Sequence, residues 1–164
     1  MKELEKVELS IIGTISTPHK TITNIPIQSV GAKEYIGVIE LEPHLTPALE
    51  GLEGFSNLIL LYHLHLVNGY KLKVKPFMDD KEHGVFATRS PKRPSPIGMS
   101  TVELLKIEGN RIWFTGADML DGTPLIDIKP FFRQVDNRPG AISGWLDAKD
   151  DDLPAKHRSD DRFA

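Results

Sequence analysis

The chain has 164 residues, enough for one domain with a real core and too few for two. It holds no cysteine, which excludes a disulfide framework, a thiolate zinc site and a cysteine nucleophile at once. Its net charge of −3 departs from the basic balance usual in dedicated nucleic-acid binders, so contact with such a partner would rest on a local patch.

The N-terminus, Met-Lys-Glu-Leu-Glu-Lys-Val-Glu, is charged and has no apolar signal core. No stretch approaches the ~20 apolar residues that a membrane helix needs. A cytoplasmic protein with no membrane contact is expected.

Val7–Thr17 is the first predicted strand, rich in β-branched residues and stopped by Pro18. A loop around Pro26 follows, then a second strand over Lys33–Leu41. Thr46 and Pro47 have the character of an N-cap and first helical residue, with Gly51 or Gly54 closing a short helix. Asn57–Val67 is the most apolar run and reads as a buried central strand. Tyr70–Val74 and Gly84–Arg89 have strand character, separated by a polar, mobile loop over Pro76–His83. Ser100–Ile107 and Arg111–Thr115 read as a hairpin around Glu108-Gly109-Asn110. Gly116–Leu120 extends it. Asp121-Gly122-Thr123-Pro124 reads as a turn in which Pro124 stops the ladder. Many short strands with few helices predict a mainly β domain: a small, single-sheet antiparallel β-barrel with a few short helices over residues 1–146. The sandwich is the alternative. Residues 147–164 are highly charged and are expected to form a flexible tail.

Two segments carry candidate chemistry. Arg89-Ser-Pro-Lys-Arg-Pro-Ser-Pro-Ile-Gly98 places three prolines in ten residues. Each proline fixes its own φ and pushes the preceding residue toward extended backbone, so the loop is stiff before a ligand arrives. A linker and a PxxP ligand are competing readings, but strand-like sequence on both sides puts the loop inside the domain. Around it, Gly69–Ser95 gathers Lys71, Lys73, Lys75, Lys81, Arg89, Lys92 and Arg93 against three carboxylates, a pattern that also describes a plain solvated face.

The second segment, Asp118-Met-Leu-Asp-Gly-Thr-Pro-Leu-Ile-Asp-Ile-Lys-Pro130, brings Asp118, Asp121 and Asp127 close in sequence. Carboxylates so placed can bind magnesium, act as acid and base, or hold ribose hydroxyls and ammonium groups. Asp121 also has the bland explanation of turn chemistry. His63 and His65 share a strand face, which can begin a zinc site, but no third ligand is evident, and no metal is expected. Trp113 and Phe114 read as packing residues, and Trp145 as cover for an interface. The sequence contains neither G-x-G-x-x-G nor G-x-x-x-x-G-K-[ST], which weighs against a Rossmann methyltransferase, a dehydrogenase and a P-loop enzyme.

Together, Val85–Ser100 and Asp118–Pro130, with weaker matches at Gly51–Ser56 and Ile12–Ile15, resemble the TsaA-like, or TrmO, family of tRNA methyltransferases. The resemblance spans roughly residues 9–138. It implies a β-barrel, a homodimer, S-adenosyl-L-methionine as cofactor, and tRNA as substrate. The implied reaction methylates the exocyclic amine N6 of threonylcarbamoyladenosine beside the anticodon. Carried over by motif, the cofactor contacts would be Pro26, Ile27, Gln28, His63, Leu64, Arg89, Met99, Leu120, Asp121, Gly122 and Thr123. Lys92, Arg93 and Arg133 would meet tRNA phosphates. Asp121 and Asp127 are the candidate bases. The chain departs from the family at Ser95, usually Asn, and at Phe131, often Tyr; the C-terminal extension of many bacterial members is missing. A non-catalytic binder of S-adenosylmethionine and a methyltransferase acting on another RNA or a small molecule stay open as alternatives. A metal-dependent hydrolase built on His63, His65 and the aspartates is a third.

Overall fold

The computed structural model describes residues 2–164, so position 1 of the expected domain lies outside the description. Its strands are β1 (Gly13–Ser16), β2 (Ile36–Leu41), β3 (Asn57–His63), β4 (Lys73–Val74), β5 (His83–Gly84), β6 (Ile97–Glu108), β7 (Arg111–Thr115) and β8 (Thr123–Pro130). Six of them close into an antiparallel barrel in the order β1-β2-β7-β6-β3-β8, and β4 and β5 form a separate two-stranded ribbon.

Alternation decides which face of each strand turns inward. Ile15, Ile39, Leu58, Leu60, Val102, Ile112, Phe114 and Leu125 lie at every second position of their strands and fill the interior. Two inward glycines make room for rings on the strand opposite. Gly37 pairs with Phe114 and Gly98 with Tyr62. A Cβ at Gly37 would come within 2.2 Å of the Phe114 ring, so the close approach itself requires glycine there. Trp113 faces outward from the same strand, beneath Lys106 Nζ at 4.3 Å from its centroid.

Several predicted elements change. Only Gly13–Ser16 of the first strand pairs; Val7, Leu9 and Ile11 remain exposed. Pro43–Leu49 is a 3₁₀ helix with Pro47 inside it, and Thr46 bonds back to Pro43 O instead of capping. β3 ends at His63, so His65 sits in a turn and no longer shares a strand face with it. Gly84–Arg89 is mostly a short 3₁₀ turn. The expected turn is confined to Asp121 and Gly122, whose φ is +79°; Thr123 and Pro124 already belong to β8, and Pro124 pairs with Thr14 near the start of the strand, where proline is tolerated.

The stretch 147–164 does not hang free, contrary to the expected flexible tail. Pro26 and Arg158 form a β-bridge, and Asn24 N donates to Ser159 O at 2.8 Å. Phe163 packs edge-on against Phe77. Asp79 accepts from His83 Nε2 at 2.7 Å and from Lys149 Nζ at 2.8 Å, and Trp145 stacks on His83. These are individual side-chain anchors, which a charged sequence without periodicity does not advertise.

The hydrogen bonds from Lys149 and His83 hold the Asp79 carboxyl well below the usual carboxylate range. A depressed carboxylate contributes stability above its unfolded value, near 4, and loses it as pH falls toward the lower folded value. Pepsin at pH 2 should therefore cut within 144–164 before it cuts the barrel. Asp79→Asn should make the same stretch sensitive to trypsin at pH 7; equal cleavage of wild type and variant would remove this anchor.

Candidate functional site

A cavity of about 1360 Å³ opens at one side of the barrel. Its walls come from the loop around Pro26, the end of β3, the proline loop, the segment after β7, and the C-terminal stretch. Each wall is fixed by backbone chemistry local to it.

The segment after β7 turns at Gly116, where φ is +95°. Gly116 N and Ala117 N both donate to Tyr35 O, at 3.1 and 3.2 Å. Thr17 Oγ1 donates to Met119 O at 2.9 Å, and Asp121 N to His19 O at 2.8 Å. Residues 117–121 are thereby strapped beside residues 17–19.

The proline loop is braced from within. Thr88 Oγ1 donates to Val85 O, Ser90 N to Thr88 Oγ1, and Arg93 Nη1 to Thr88 O at 3.0 Å. Leu64 N donates to Pro96 O at 2.8 Å, tying the loop to the end of β3. Arg89 Nη1 donates to Gln28 Oε1 at 2.7 Å and joins the proline loop to the Pro26 loop. Because the loop runs directly into β6, the linker reading does not hold. Trp145 Nε1 donates to Ala87 O at 2.7 Å, so Trp145 covers a loop of its own chain.

Of the sequence-derived contacts, Pro26, Ile27, Gln28, Leu64, Arg89, Met99, Leu120 and Thr123 line the cavity, and Arg93 joins them. His63, Asp121, Gly122, Lys92 and Arg133 do not line it. The rings of His63 and His65 stand 6.5 Å apart, and among the described residues no group of three metal-ligating side chains occurs.

The two candidate bases, Asp121 and Asp127, both stand off the cavity wall. Asp121 accepts from Thr17 N at 2.9 Å and from Lys20 Nζ at 2.6 Å, and the Lys20 bond holds its carboxyl below the usual range. It closes a turn and is a poor proton acceptor. Asp127 pairs with Lys129 Nζ at 2.8 Å and lines a different groove, beside Leu45, Leu49 and Phe55.

Asp118, grouped in sequence with Asp121 and Asp127 but not chosen as a base, is the one of the three that reaches the cavity. It lies on the cavity wall, where Ser100 Oγ donates to its Oδ1 at 2.6 Å. Ser100 Oγ in turn meets Tyr62 Oη at 2.8 Å. Burial pushes the Asp118 carboxyl up to about 7, while the Ser100 bond and the Arg89 charge draw it back. Burial and the Asp118 charge also push the Tyr62 hydroxyl up. One signal was present: Asp118 has small or apolar neighbours on both sides, Gly116-Ala117 and Met119-Leu120, whereas Asp121 has them only before it and is followed by Gly122-Thr123.

Comparison with known proteins gives a consistent picture. Residues 14–137 match the tRNA-methyltransferase O N-terminal domain. A probable S-adenosyl-L-methionine-binding protein of Pyrococcus abyssi is 43% identical over 152 residues, covering 93% of this chain and 82% of that protein. The tRNA (adenine(37)-N6)-methyltransferase of Mus musculus is 45% identical over 94 residues, covering 55% of this chain and 22% of the mouse protein. The crystal structure of TrmO from Pseudomonas aeruginosa superposes with a TM-score of 0.73 at 36% identity, over 86% of this chain and 63% of that one. The chain thus spans under two thirds of the length of that solved structure.

Proposed function

We propose a function from one premise: the chain belongs to the tRNA-methyltransferase O N-terminal domain family. On it rests a methyltransferase that uses S-adenosyl-L-methionine to methylate the exocyclic amine N6 of a tRNA adenosine, in the finer reading threonylcarbamoyladenosine beside the anticodon.

The observation that carries this reading is the cavity. It is larger than the ~300–1,000 Å³ usual for one small ligand, which suits a donor and an inserted nucleoside together. Its chemistry fits the donor. Leu64, Met99 and Leu120 offer apolar surface for a base, Arg89 offers a cation for a carboxylate, and Gln28 and Thr123 offer polar groups. His63, Asp121 and Gly122 stand next in the chain to lining residues and complete the set that the family implies. When bound, the donor supplies an electrophilic methyl group on a positively charged sulfur.

The chain's own part is then positioning. Stiff loops hold both ligands in line, and closure by the C-terminal stretch keeps water from the reacting atoms. Lys92, Arg93 and Arg133 are the cations proposed to meet tRNA phosphates. Leu72 and Phe86 are large exposed apolar residues, Phe86 on the cavity wall itself, which suits a homodimer with the site near the contact. Among the described residues no helix is long and apolar enough to cross a membrane, and a tRNA substrate would place the protein in the cytoplasm.

Titration calorimetry with S-adenosylmethionine, followed by nucleoside mass spectrometry of tRNA with and without the threonylcarbamoyl group, tests the proposal. Donor binding and one added methyl on the modified adenosine alone are expected. Binding with no methyl on any RNA would favour a non-catalytic binder, and no binding at millimolar donor would sink the reading entirely.

A further inference from the structure

We propose that Asp118 is the group that takes the proton from the acceptor amine, set in place by a hydrogen-bonded chain running from Tyr62 through Ser100. The assignment rests on the methyl-transfer reading above.

An amine joined to a carbonyl is a weak nucleophile, because its lone pair is delocalised. A base that removes its proton as the new bond forms lowers that barrier. The base must reach the cavity and must have a free lone pair. The carboxylates on the cavity wall are Asp118 and Asp160. Asp160 is held by Arg162 at 2.7 Å, and that bond keeps its carboxyl below the usual range. His65 also lines the cavity, but it stands in a turn where, among the described residues, no hydrogen bond fixes its ring.

Asp118 differs from both. Its Oδ1 accepts from Ser100, while among the described residues no side-chain donor meets Oδ2. Asp118 is also no buried orphan, since among the described residues no enclosed side-chain oxygen or nitrogen lacks a partner. Besides Ser100, the carboxyl meets only its own backbone N–H and the more distant Arg89 charge, which leaves Oδ2 as the oxygen for a ligand.

The chain of hydroxyls has a direction once Asp118 is ionised. Ser100 then donates to Oδ1, and Tyr62 donates to Ser100. Tyr62 stands on β3 and Ser100 on β6, adjacent strands of the barrel wall, so the carboxyl is oriented by the most rigid part of the fold. The groups facing Asp118 are Tyr62 from β3, Ser100 from β6 and Arg89 from the proline loop.

The step balances as follows. The amine nitrogen forms its bond to the methyl carbon, and the carbon–sulfur pair returns to sulfur, which becomes neutral. The N–H proton passes to Asp118 Oδ2, giving the neutral acid, which later loses that proton to water. A carboxyl near 7 both accepts and releases a proton readily at neutral pH.

The test uses the full chain, S-adenosylmethionine and tRNA carrying the acceptor nucleoside. Asp118→Asn should lower kcat at least ~100-fold and leave the donor Kd by calorimetry within about threefold. The wild-type rate should rise with pH and level off near 7; Ser100→Ala, which removes a bond favouring the ionised form, should move that bend to higher pH and keep the plateau. Calorimetry at pH 7 in buffers of different ionisation enthalpy should show proton release on donor binding in wild type and less in Asp118→Asn. His65→Asn should keep the wild-type bend.

A wild type that binds donor but methylates no tRNA overturns the function and the base together. An active wild type overturns Asp118 alone if Asp118→Asn matches its rate or loses donor affinity, if the Ser100→Ala bend stays in place, or if His65→Asn is the variant that loses the bend.

Discussion

Replacing Gly98 with alanine should lower the melting temperature by roughly 5–15 °C and cut methyl transfer at the same time. The new Cβ would lie 2.1 Å from Cε2 of Tyr62 and 2.6 Å from Cζ, closer than real Cβ contacts allow. The ring must move, and it stands in the closed interior beside Leu58, Leu60 and Leu125. Overpacking of this kind costs about 1–3 kcal/mol. Moving the ring also pulls Tyr62 Oη away from Ser100, and a buried hydroxyl without its partner adds about 1–3 kcal/mol. For a domain of this size each kcal/mol shifts the melting temperature by about 2–4 °C. Gly84→Ala is the control, because a Cβ there meets nothing within 4 Å. If the two variants melt together, the packing account of Gly98 is wrong.

Asp118→Asn should make the protein more stable at pH 8 and nearly indifferent at pH 4. Burial raises the folded carboxyl from 3.8 to about 7. Between those values the native state keeps a proton that the unfolded chain has released, so stability falls as pH rises through the interval. Above about 7 the full cost is present, on the order of a few kcal/mol. Asparagine keeps the shape and has no proton to lose. Melting curves at pH 4 and pH 8 should show a gain of about 5 °C or more at the higher pH only. An equal effect at both would mean that the carboxyl ionises in the folded state as freely as in water. A residue whose removal stabilises the fold, standing on a cavity wall, is the kind that function retains against stability.

Much of the barrel was legible because its strands obey a two-residue rhythm. Leu58, Leu60 and Tyr62 alternate cleanly, as do Ile112 and Phe114. β8 was hidden because Pro124, Asp127, Lys129 and Pro130 break that rhythm, and only its two neighbours, β1 and β3, make a strand of it. Val7–Ile11 had the rhythm and stayed unpaired, since β2 begins its pairing with β1 at Leu41 and nothing lies across from the earlier residues. The proline loop and the Asp118–Pro130 segment were visible as places where chemistry gathers. Which aspartate faces the cavity was not, because spacing along a loop does not encode burial. Asp121 and Asp118 differ by three positions and by the whole of their electrostatic surroundings. The C-terminal wall was invisible for a related reason: its anchors at Trp145, Asp79 and Ser159 are single contacts without a pattern.

The walls of the cavity are joined across great lengths of chain. Ser159 Oγ donates to Ile22 O across 137 positions, and Thr17 N donates to Asp121 across 104. The barrel seam between β1 and β8 has the same character, pairing Gly13 with Leu125. Contacts so distant in sequence form late in folding. On the ribosome, the Pro26 wall emerges long before the residues that cover it have been made. A chain cut short before Arg158 lacks the β-bridge that ties the C-terminal stretch to the Pro26 loop, and its cavity is left without that cover. The cavity takes its final shape only once residues 158 and 159 have joined the Pro26 loop, so that wall is a late addition to a barrel already able to close.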